Sequence, residues 1–117
     1  MNLKITEEKN YSELTLDGEL DAASSLQVDT VINELLKKKV FTLLINCQKL
    51  EYISSAGLGV FISHREHLKN QKGGFVFFGM NEKVKNIFEI VGLDKIMSIK
   101  STRDEGVTLI ETIVKQK

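Results

Sequence analysis

The chain is organised around ten residues that read Leu50-Glu51-Tyr52-Ile53-Ser54-Ser55-Ala56-Gly57-Leu58-Gly59. The nearly apolar run at 41–46 that precedes them is typical of a central strand covered on both faces. The apolar residues that follow recur at helical spacing, and they predict a helix that opens near Ser55 and reaches about Asn70. The stretch is therefore predicted to join a strand to the first turn of a helix.

The first turn of such a helix has unpaired backbone N–H groups and carries the positive end of the helix dipole. A serine hydroxyl at this position can cap the helix. It can also carry a phosphate, whose charge of about −1.5 to −2 the dipole would stabilise. The residue types alone favour capping, and the two roles are compatible.

Two glycines in the same turns, Gly57 and Gly59, each cost about 1 kcal/mol of helix propensity relative to alanine. A cost of this size indicates that another backbone approaches closely. That backbone could belong to the same domain or to a partner, and the residues alone leave both explanations open.

The rest of the chain alternates between strand and helix patterns. Before the organising stretch, strands are predicted at 3–8 and 11–17, Gly18 marks a bulge or bend, and a helix opens at 21–25 with capping-box spacing between Ser24 and Gln27. An apolar stripe on the helix after the stretch is predicted to comprise Leu58, Phe61, Ile62 and Leu68.

Further strands are predicted at 75–78 and 96–99. A short helix capped by Asn81 separates them, with an apolar face of Val84, Ile87, Phe88 and Val91. A last helix follows a cap at Ser101 or Thr102. The alternation predicts an α/β fold with a mixed central β-sheet of about four to five strands and about four helices, in one domain that spans 1–117.

Composition limits the possible functions. The 117 residues suffice for one core, and sixteen Lys and Arg residues balance sixteen Asp and Glu residues. Without a basic surplus we expect no nucleic acid partner, and without a basic amphipathic segment we expect no membrane partner. The first residues lack the apolar stretch of a signal peptide, and no apolar run approaches the roughly 20 residues that span a bilayer, so we expect a soluble cytoplasmic protein. The single Cys47 is expected to be a small buried hydrophobe.

The residues do not assemble a catalytic motif. His64 and His67 could share a helix face, but no further ligands stand beside them, so they are interpreted as surface histidines and no metal site is expected. The nucleophile elbow Gly-x-Ser-x-Gly requires glycine where Ile53 stands, and the Walker phosphate loop is missing. We therefore expect no enzyme activity and no cofactor.

Three motifs, taken in order, resemble the STAS domain family, which includes the bacterial anti-sigma factor antagonists and domains of sulfate transporters. They are Gly18-Glu19-Leu20-Asp21, then Tyr52-Ile53-Ser54-Ser55-Ala56-Gly57-Leu58-Gly59, then Gly73-Gly74 before an apolar strand. The usual string of the antagonists is Asp-Ser-[Ser/Thr]-Gly-Leu-Gly, in which the serine after the Asp is phosphorylated. Here Ser54 takes the Asp place, Ser55 the phosphoserine place and Ala56 the second hydroxyl place.

The resemblance implies an anti-sigma factor antagonist that works by partner switching. It would bind an anti-sigma factor that is also an ATP-dependent serine kinase, release the sigma factor, be switched off by phosphorylation at Ser55 and be restored by a serine phosphatase. It implies a STAS-like domain with a partner-binding surface at Asp21, Ser54, Ala56, Gly57, Leu58 and Gly59. Among these residues Leu58 is expected to supply apolar contact, and we expect a monomer. One alternative is a STAS adaptor or scaffold module in a larger regulatory assembly that is never phosphorylated. A weaker alternative is a site for a small ligand or nucleotide at the same helix starts.

Overall fold

The computed structural model describes residues 1–115. Within them, five strands, four α-helices and one short 3-10 helix follow one another along the chain. They are β1 (Asn2–Glu7), β2 (Ser12–Leu20), α1 (Ala22–Lys37), β3 (Thr42–Ile53), α2 (Ser55–Asn70), β4 (Gly74–Phe78), α3 (Glu82–Ile90), the 3-10 helix (Leu93–Lys95), β5 (Ser98–Lys100) and α4 (Arg103–Lys115).

The strands form one sheet in the order β1-β2-β3-β4-β5. β1 is antiparallel to β2, and the remaining neighbours are parallel, so the predicted mixed α/β sheet is confirmed. β3 lies in the middle, and its first half is buried on both faces, as the apolar run at 41–46 predicts. It is longer than predicted, because parallel pairing with β2 continues to Ile53. Residues 50–53 are therefore strand, and only Ser54 separates this strand from α2.

One face of the sheet is covered by α1, α2 and α3, which together enclose the main core. Edge-to-face aromatic contacts join the helices to the sheet there: the ring of Phe77 on β4 lies 5.0 Å from that of Phe61 on α2 and 5.4 Å from that of Phe88 on α3. Such ring pairs stabilise the fold beyond the hydrophobic contribution of the area that the rings bury. These contacts hold α2 and α3 on the same side of the sheet, where α1 shares their core.

The other face is covered by α4, in the part of the chain that the structure describes. Ile110 of this helix packs on Leu44, Val76 and Phe78. An ion pair fixes the helix start, since Arg103 donates to Glu13 Oε1 from Nε at 3.0 Å and from its terminal nitrogen at 2.8 Å. Asn46 donates to the other oxygen of Glu13 at 3.2 Å. The carboxylate of Glu13 is nearly buried, and these bonds offset its loss of hydration.

Several local predictions need correction. The first capping box joins Asp21 to Ser24 rather than Ser24 to Gln27, because β2 runs to Leu20 and the helix starts directly after Asp21. Ile62 and Val91 are exposed, although they were placed on apolar faces. The apolar periodicity of a helix predicts the centre of its buried face but not how far that face extends around the helix. Ile62 and Val91 lie beyond the buried part.

The C-terminal part of the sheet also differs from the prediction. Ile96 and Met97 precede β5 instead of belonging to it, because the chain first makes the 3-10 helix after Gly92. Of the two caps offered for the last helix, Thr102 takes the role: its Oγ1 accepts from the N–H of Glu105 at 3.2 Å, and its own N–H donates to Glu105 Oε1 at 3.1 Å.

Candidate functional site: two neighbouring helix starts

The starts of α1 and α2 lie side by side at one edge of the sheet. β2 and β3 are parallel neighbours, and Leu20 at the end of one pairs with Ile53 at the end of the other. The N–H of Ser54 also donates to the carbonyl oxygen of Leu20 at 2.8 Å, so the ladder continues beyond the last strand residue. The structure thereby brings Asp21 next to the serine pair, as the resemblance implied.

The start of α1 is capped by the side chains of its own first residues. Asp21 Oδ1 accepts from the N–H of Ser24 at 2.9 Å, and Ser24 Oγ accepts from the N–H of Asp21 at 2.9 Å. These bonds to Ser24 favour the ionised carboxylate, so the pKa of Asp21 lies below its usual value. Asp21 is exposed and therefore places a negative charge on the surface beside α2.

At the start of α2 the two serines have different roles. Ser54 Oγ accepts from the N–H of Gly57 at 3.2 Å, so Ser54 is the N-cap. Ser55 is the first residue of the helix and is exposed. Among the hydrogen bonds of residues 1–115, none involves its hydroxyl group. Ser54 therefore takes the capping role that the sequence allowed for a serine, and the hydroxyl of Ser55 is left exposed at the first residue of the helix.

The two glycines of α2 also differ. A Cβ on Gly57 would lie 2.7 Å from Leu20 Cγ and 2.9 Å from Ile53 Cγ1, distances too short for carbon atoms. Gly57 is thus required by close approach inside the domain. A Cβ on Gly59 would meet nothing within 4 Å, and this residue is exposed. The outer face of the first helical turns is correspondingly flat.

The predicted binding residues do not all reach the surface. Asp21, Ser55, Ala56 and Gly59 are exposed and Ser54 is half-buried, whereas Gly57 and Leu58 are buried. Leu58 is 7% exposed and packs in the main core, so its side chain does not offer the apolar contact that was expected of it. It supports the helix start from below.

Exposed apolar side chains at this edge come from residues that sequence reasoning passed over. Leu26, on the second turn of α1, is 71% exposed, and Tyr52, three residues before Ser55, is 38% exposed. The ammonium group of Lys83 lies 5.5 Å from the centroid of the Tyr52 ring. Leu26 falls outside the apolar stripe of its helix, and that was the signal that could have marked it as a surface residue.

The other reactive side chains are engaged or buried. His64 is not a surface histidine as interpreted, because its Nε2 lies 2.7 Å from Asp29 Oδ1 and its side chain is mostly covered between α1 and α2. His67 is exposed and stacks against Phe41. Burial raises the pKa of Cys47 to about 12, and its interpretation as a buried hydrophobe is confirmed.

Residues 1–115 contain no cluster of three or more His, Cys, Asp or Glu side chains arranged to hold a metal ion. Over the same range, none of the helices has the length and apolar character needed to cross a membrane.

Comparisons with known proteins give consistent results. A family model described as the STAS domain matches residues 2–106. The anti-sigma-B factor antagonist of Listeria monocytogenes is 29% identical over 108 residues, which cover 90% of this chain and 95% of that protein. The anti-sigma factor antagonist SpoIIAA in its unphosphorylated form has a TM-score of 0.82 at 20% identity, over 95% of this chain and 97% of its own. The Bacillus SpoIIAA structure in the phosphorylated form has a TM-score of 0.73 at 20% identity, over 93% and 99%. These two structures share the fold.

Proposed function

This chain belongs to the STAS domain family, and we propose that it acts as an anti-sigma factor antagonist whose docking is switched by phosphorylation of Ser55. The name of the Listeria relative supports this function, and SpoIIAA is a relative in fold that exists in phosphorylated and unphosphorylated forms. In the proposed cycle the unmodified chain binds an anti-sigma factor that is also an ATP-dependent serine kinase. The sigma factor is released, the kinase then phosphorylates Ser55, and a serine phosphatase restores binding.

The observation that carries the proposal is the free hydroxyl of Ser55 at an exposed helix start. Ser54 already satisfies the N–H of Gly57, so modification of Ser55 does not remove the cap. Serine and aspartate are both strong N-cap residues. The replacement of the usual Asp by Ser54 therefore keeps the cap and removes only a carboxylate from beside the acceptor.

The same geometry explains how a phosphate could act without unfolding the domain. On the first residue of α2 the phosphate lies near unpaired N–H groups and the positive end of the helix dipole, which stabilise its charge of about −1.5 to −2. Toward a partner the effect is opposite. The surface already has Asp21, and the added charge repels carboxylates of the partner and holds water in the interface.

The test uses the purified chain with each serine-kinase anti-sigma factor encoded in the genome of its source. Incubation with ATP followed by mass spectrometry should locate one phosphate on Ser55, and calorimetry should measure binding. Ser55→Ala should bind and accept no phosphate, and Ser55→Asp should bind at least about tenfold more weakly, the effect of about 1.4 kcal/mol of repulsion.

A matched control lies on the same helix. Ser63 is exposed, and its hydroxyl donates to the carbonyl oxygen of Val60 at 2.8 Å. Ser63→Ala and Ser63→Asp should leave both phosphorylation and affinity unchanged. If Ser55→Asp binds as tightly as the unmodified chain, the proposed switch is wrong.

Ser54 in the Asp place favours a second candidate, a STAS adaptor that is never phosphorylated. The same experiment separates the two candidates, because the adaptor would bind its partner without accepting phosphate from ATP. A nucleotide site at the helix starts predicts instead that titration with GTP or ATP releases heat in the absence of any partner.

A further inference from the structure

At the carboxyl ends of β4 and β5, the helices that follow two neighbouring parallel strands leave on opposite faces of the sheet. α3, which follows β4, packs in the main core, whereas α4, which follows β5, covers the other face. In open α/β sheets, ligands bind in the crevice outside the carboxyl ends of the strands at such a point. Among the strands of residues 1–115, β4 and β5 are the pair that meets this condition.

A cavity of about 490 Å³ lies in this crevice. Its lining comes from the β4–α3 connection, α3 itself, the 3-10 helix and the end of β5. Met80 and Ile99 supply apolar side chains, which are half-buried against the main core. The volume is within the range of about 300–1,000 Å³ that is typical of small-molecule sites. The strand topology and the shape of the surface thus indicate the same place independently.

Hydrogen bonds hold the walls of the cavity in place. The N–H of Gly79 donates to the carbonyl oxygen of Lys100 at 3.2 Å, which joins the two diverging connections. Asn81 caps α3 by accepting from the N–H of Val84 at 2.8 Å, and its side-chain amide donates to the carbonyl oxygen of Leu50 at 3.1 Å. The start of α3 is therefore fixed to β3, and the cavity is preformed, as ligand pockets usually are.

Charged side chains of both signs line the cavity and leave one another unpaired. They are Glu82, Lys85, Glu89, Asp94 and Lys100. Lys85 stands three residues after Glu82 and four before Glu89, spacings at which side chains of a helix can pair. Among the ion pairs of residues 1–115, none involves any of the five. Their charges are therefore available to a molecule in the cavity.

The stability of α3 does not account for all of these charges. Glu82 lies in the first turn, where the positive end of the helix dipole favours a carboxylate. Glu89 lies in the last turn, where the negative end of the dipole disfavours one, and α3 has no basic residue in that turn. Asp94, on the 3-10 helix just after α3, adds a second carboxylate to the lining. A cationic group of a ligand would offset both charges.

We propose that this cavity binds a small zwitterion, whose ammonium group lies near the carboxylates of Glu89 and Asp94. Its own carboxylate lies near the two lysines, and its apolar part lies against Met80 and Ile99. A ligand of one sign would leave the opposite charges of the lining unpaired. Free amino acids with apolar side chains and short peptides both have this chemistry. The inference does not depend on the proposed function, since Ser55 does not line the cavity.

The test titrates the isotope-labelled chain with two zwitterions, leucine and the tripeptide Ala-Leu-Ala, and follows the amide signals by NMR. At least one compound should bind saturably with a Kd of about 1 mM or lower, and the shifted signals should lie at the cavity. N-acetylation or C-terminal amidation of that compound removes one charge and should weaken binding about tenfold or more. The compound that binds more tightly identifies the source, a free amino acid or a peptide.

Variants of the chain test the two charges separately. Glu89→Gln should weaken binding of the unblocked compound about fivefold or more and should not further weaken the N-acetylated compound, which has no ammonium group. Lys85→Gln should have the same pair of effects with the amidated compound. Glu66→Gln and Lys37→Gln are the matched controls, since both residues are exposed and lie outside the cavity, and they should change nothing. Thermal unfolding should show that all four variants fold.

Three results would overturn the inference. The first is that neither leucine nor the tripeptide binds. The second is that the blocked compounds bind as tightly as the unblocked ones, which would mean that the charges of the lining are not used. The third is that Glu89→Gln and Lys85→Gln bind the zwitterion as tightly as the two control variants do.

Discussion

The starts of α1 and α2 lie side by side, and each follows directly after a strand and has an N-cap residue. They differ in which polar side chains the cap uses. At the start of α1, Asp21 and Ser24 each bond to the backbone of the other, so both polar side chains are used. At the start of α2, Ser54 alone forms the cap and Ser55 remains free. The comparison indicates that a capping hydroxyl and an exposed, unbonded hydroxyl can occupy consecutive residues, because an N-cap side chain points back to the backbone whereas the next residue faces solvent.

The largest expected effect concerns the glycines that make the start of α2 compact. Gly57→Ala should lower the free energy of unfolding by about 1–3 kcal/mol, because the new Cβ meets Leu20 and Ile53 in a packed core. Gly59→Ala should raise it by up to about 1 kcal/mol, because that Cβ is unobstructed and alanine favours the helix. Urea unfolding of both variants measures the difference, and equal effects would contradict the assignment of Gly57 to internal packing.

The next effect compares the two caps. Asp21→Ala removes one half of a capping box and should cost about 1–2 kcal/mol, while Ser54→Ala removes a single bond and should cost about 0.5–1 kcal/mol. Ser54→Asp should keep the stability of the unmodified chain. Urea unfolding tests all three variants, and a cost for Ser54→Asp as large as for Ser54→Ala would refute the cap.

The two starts should also differ in their response to acid. The pKa of Asp21 is lowered in the folded chain, so its stabilising effect is complete above the usual pKa of aspartate and is lost as the pH falls through the lowered folded value. Ser54 does not titrate in this range. Asp21→Asn can still cap and should reduce the acid dependence of the unfolding free energy, whereas Ser54→Ala should leave that dependence unchanged. Chemical unfolding between neutral pH and pH 2 measures both slopes.

The smallest effect is expected at Ser55 itself. Because its hydroxyl makes no hydrogen bond among the described residues, Ser55→Ala should change the unfolding free energy by less than about 0.5 kcal/mol. If Ser55→Ala loses phosphorylation and keeps its free energy of unfolding, Ser55 differs from Ser54, whose replacement by alanine is expected to lower that free energy. A cost as large as that of Ser54→Ala would mean that Ser55 also supports the helix.

Local patterns in the sequence predicted much of this fold. α2 has the predicted bounds, Ser55–Asn70, because a capping serine and an apolar period define a helix within one segment. The mixed sheet also follows from local patterns. The side of each helix that meets the sheet is set by packing between distant segments, which is why Ile62 and Val91 were placed on apolar faces although they are exposed. Leu58 is buried, as its place in the apolar stripe predicted, and this burial contradicts its expected contact with a partner.

The candidate site was predictable in its position and less so in its details. The place of Asp21 beside the serines came from the family resemblance, and the pairing of Leu20 with Ile53 brings them together. The choice of Asp21 over Ser24 as the cap depended on where β2 ends, which the pattern did not define. The ion pair between Glu13 and Arg103 joins residues 90 positions apart, and no local signal connects them.

The hydrogen bond from the N–H of Ser54 to the carbonyl oxygen of Leu20 has a consequence for recognition. It ties the first residue outside β3 to the last residue of β2, so a backbone hydrogen bond fixes the two helix starts relative to each other. The proposed partner would therefore meet a preorganised surface, and little conformational entropy would be lost when that complex forms. In the proposed switch, release after phosphorylation would then depend on the added charge and not on a rearrangement of the backbone.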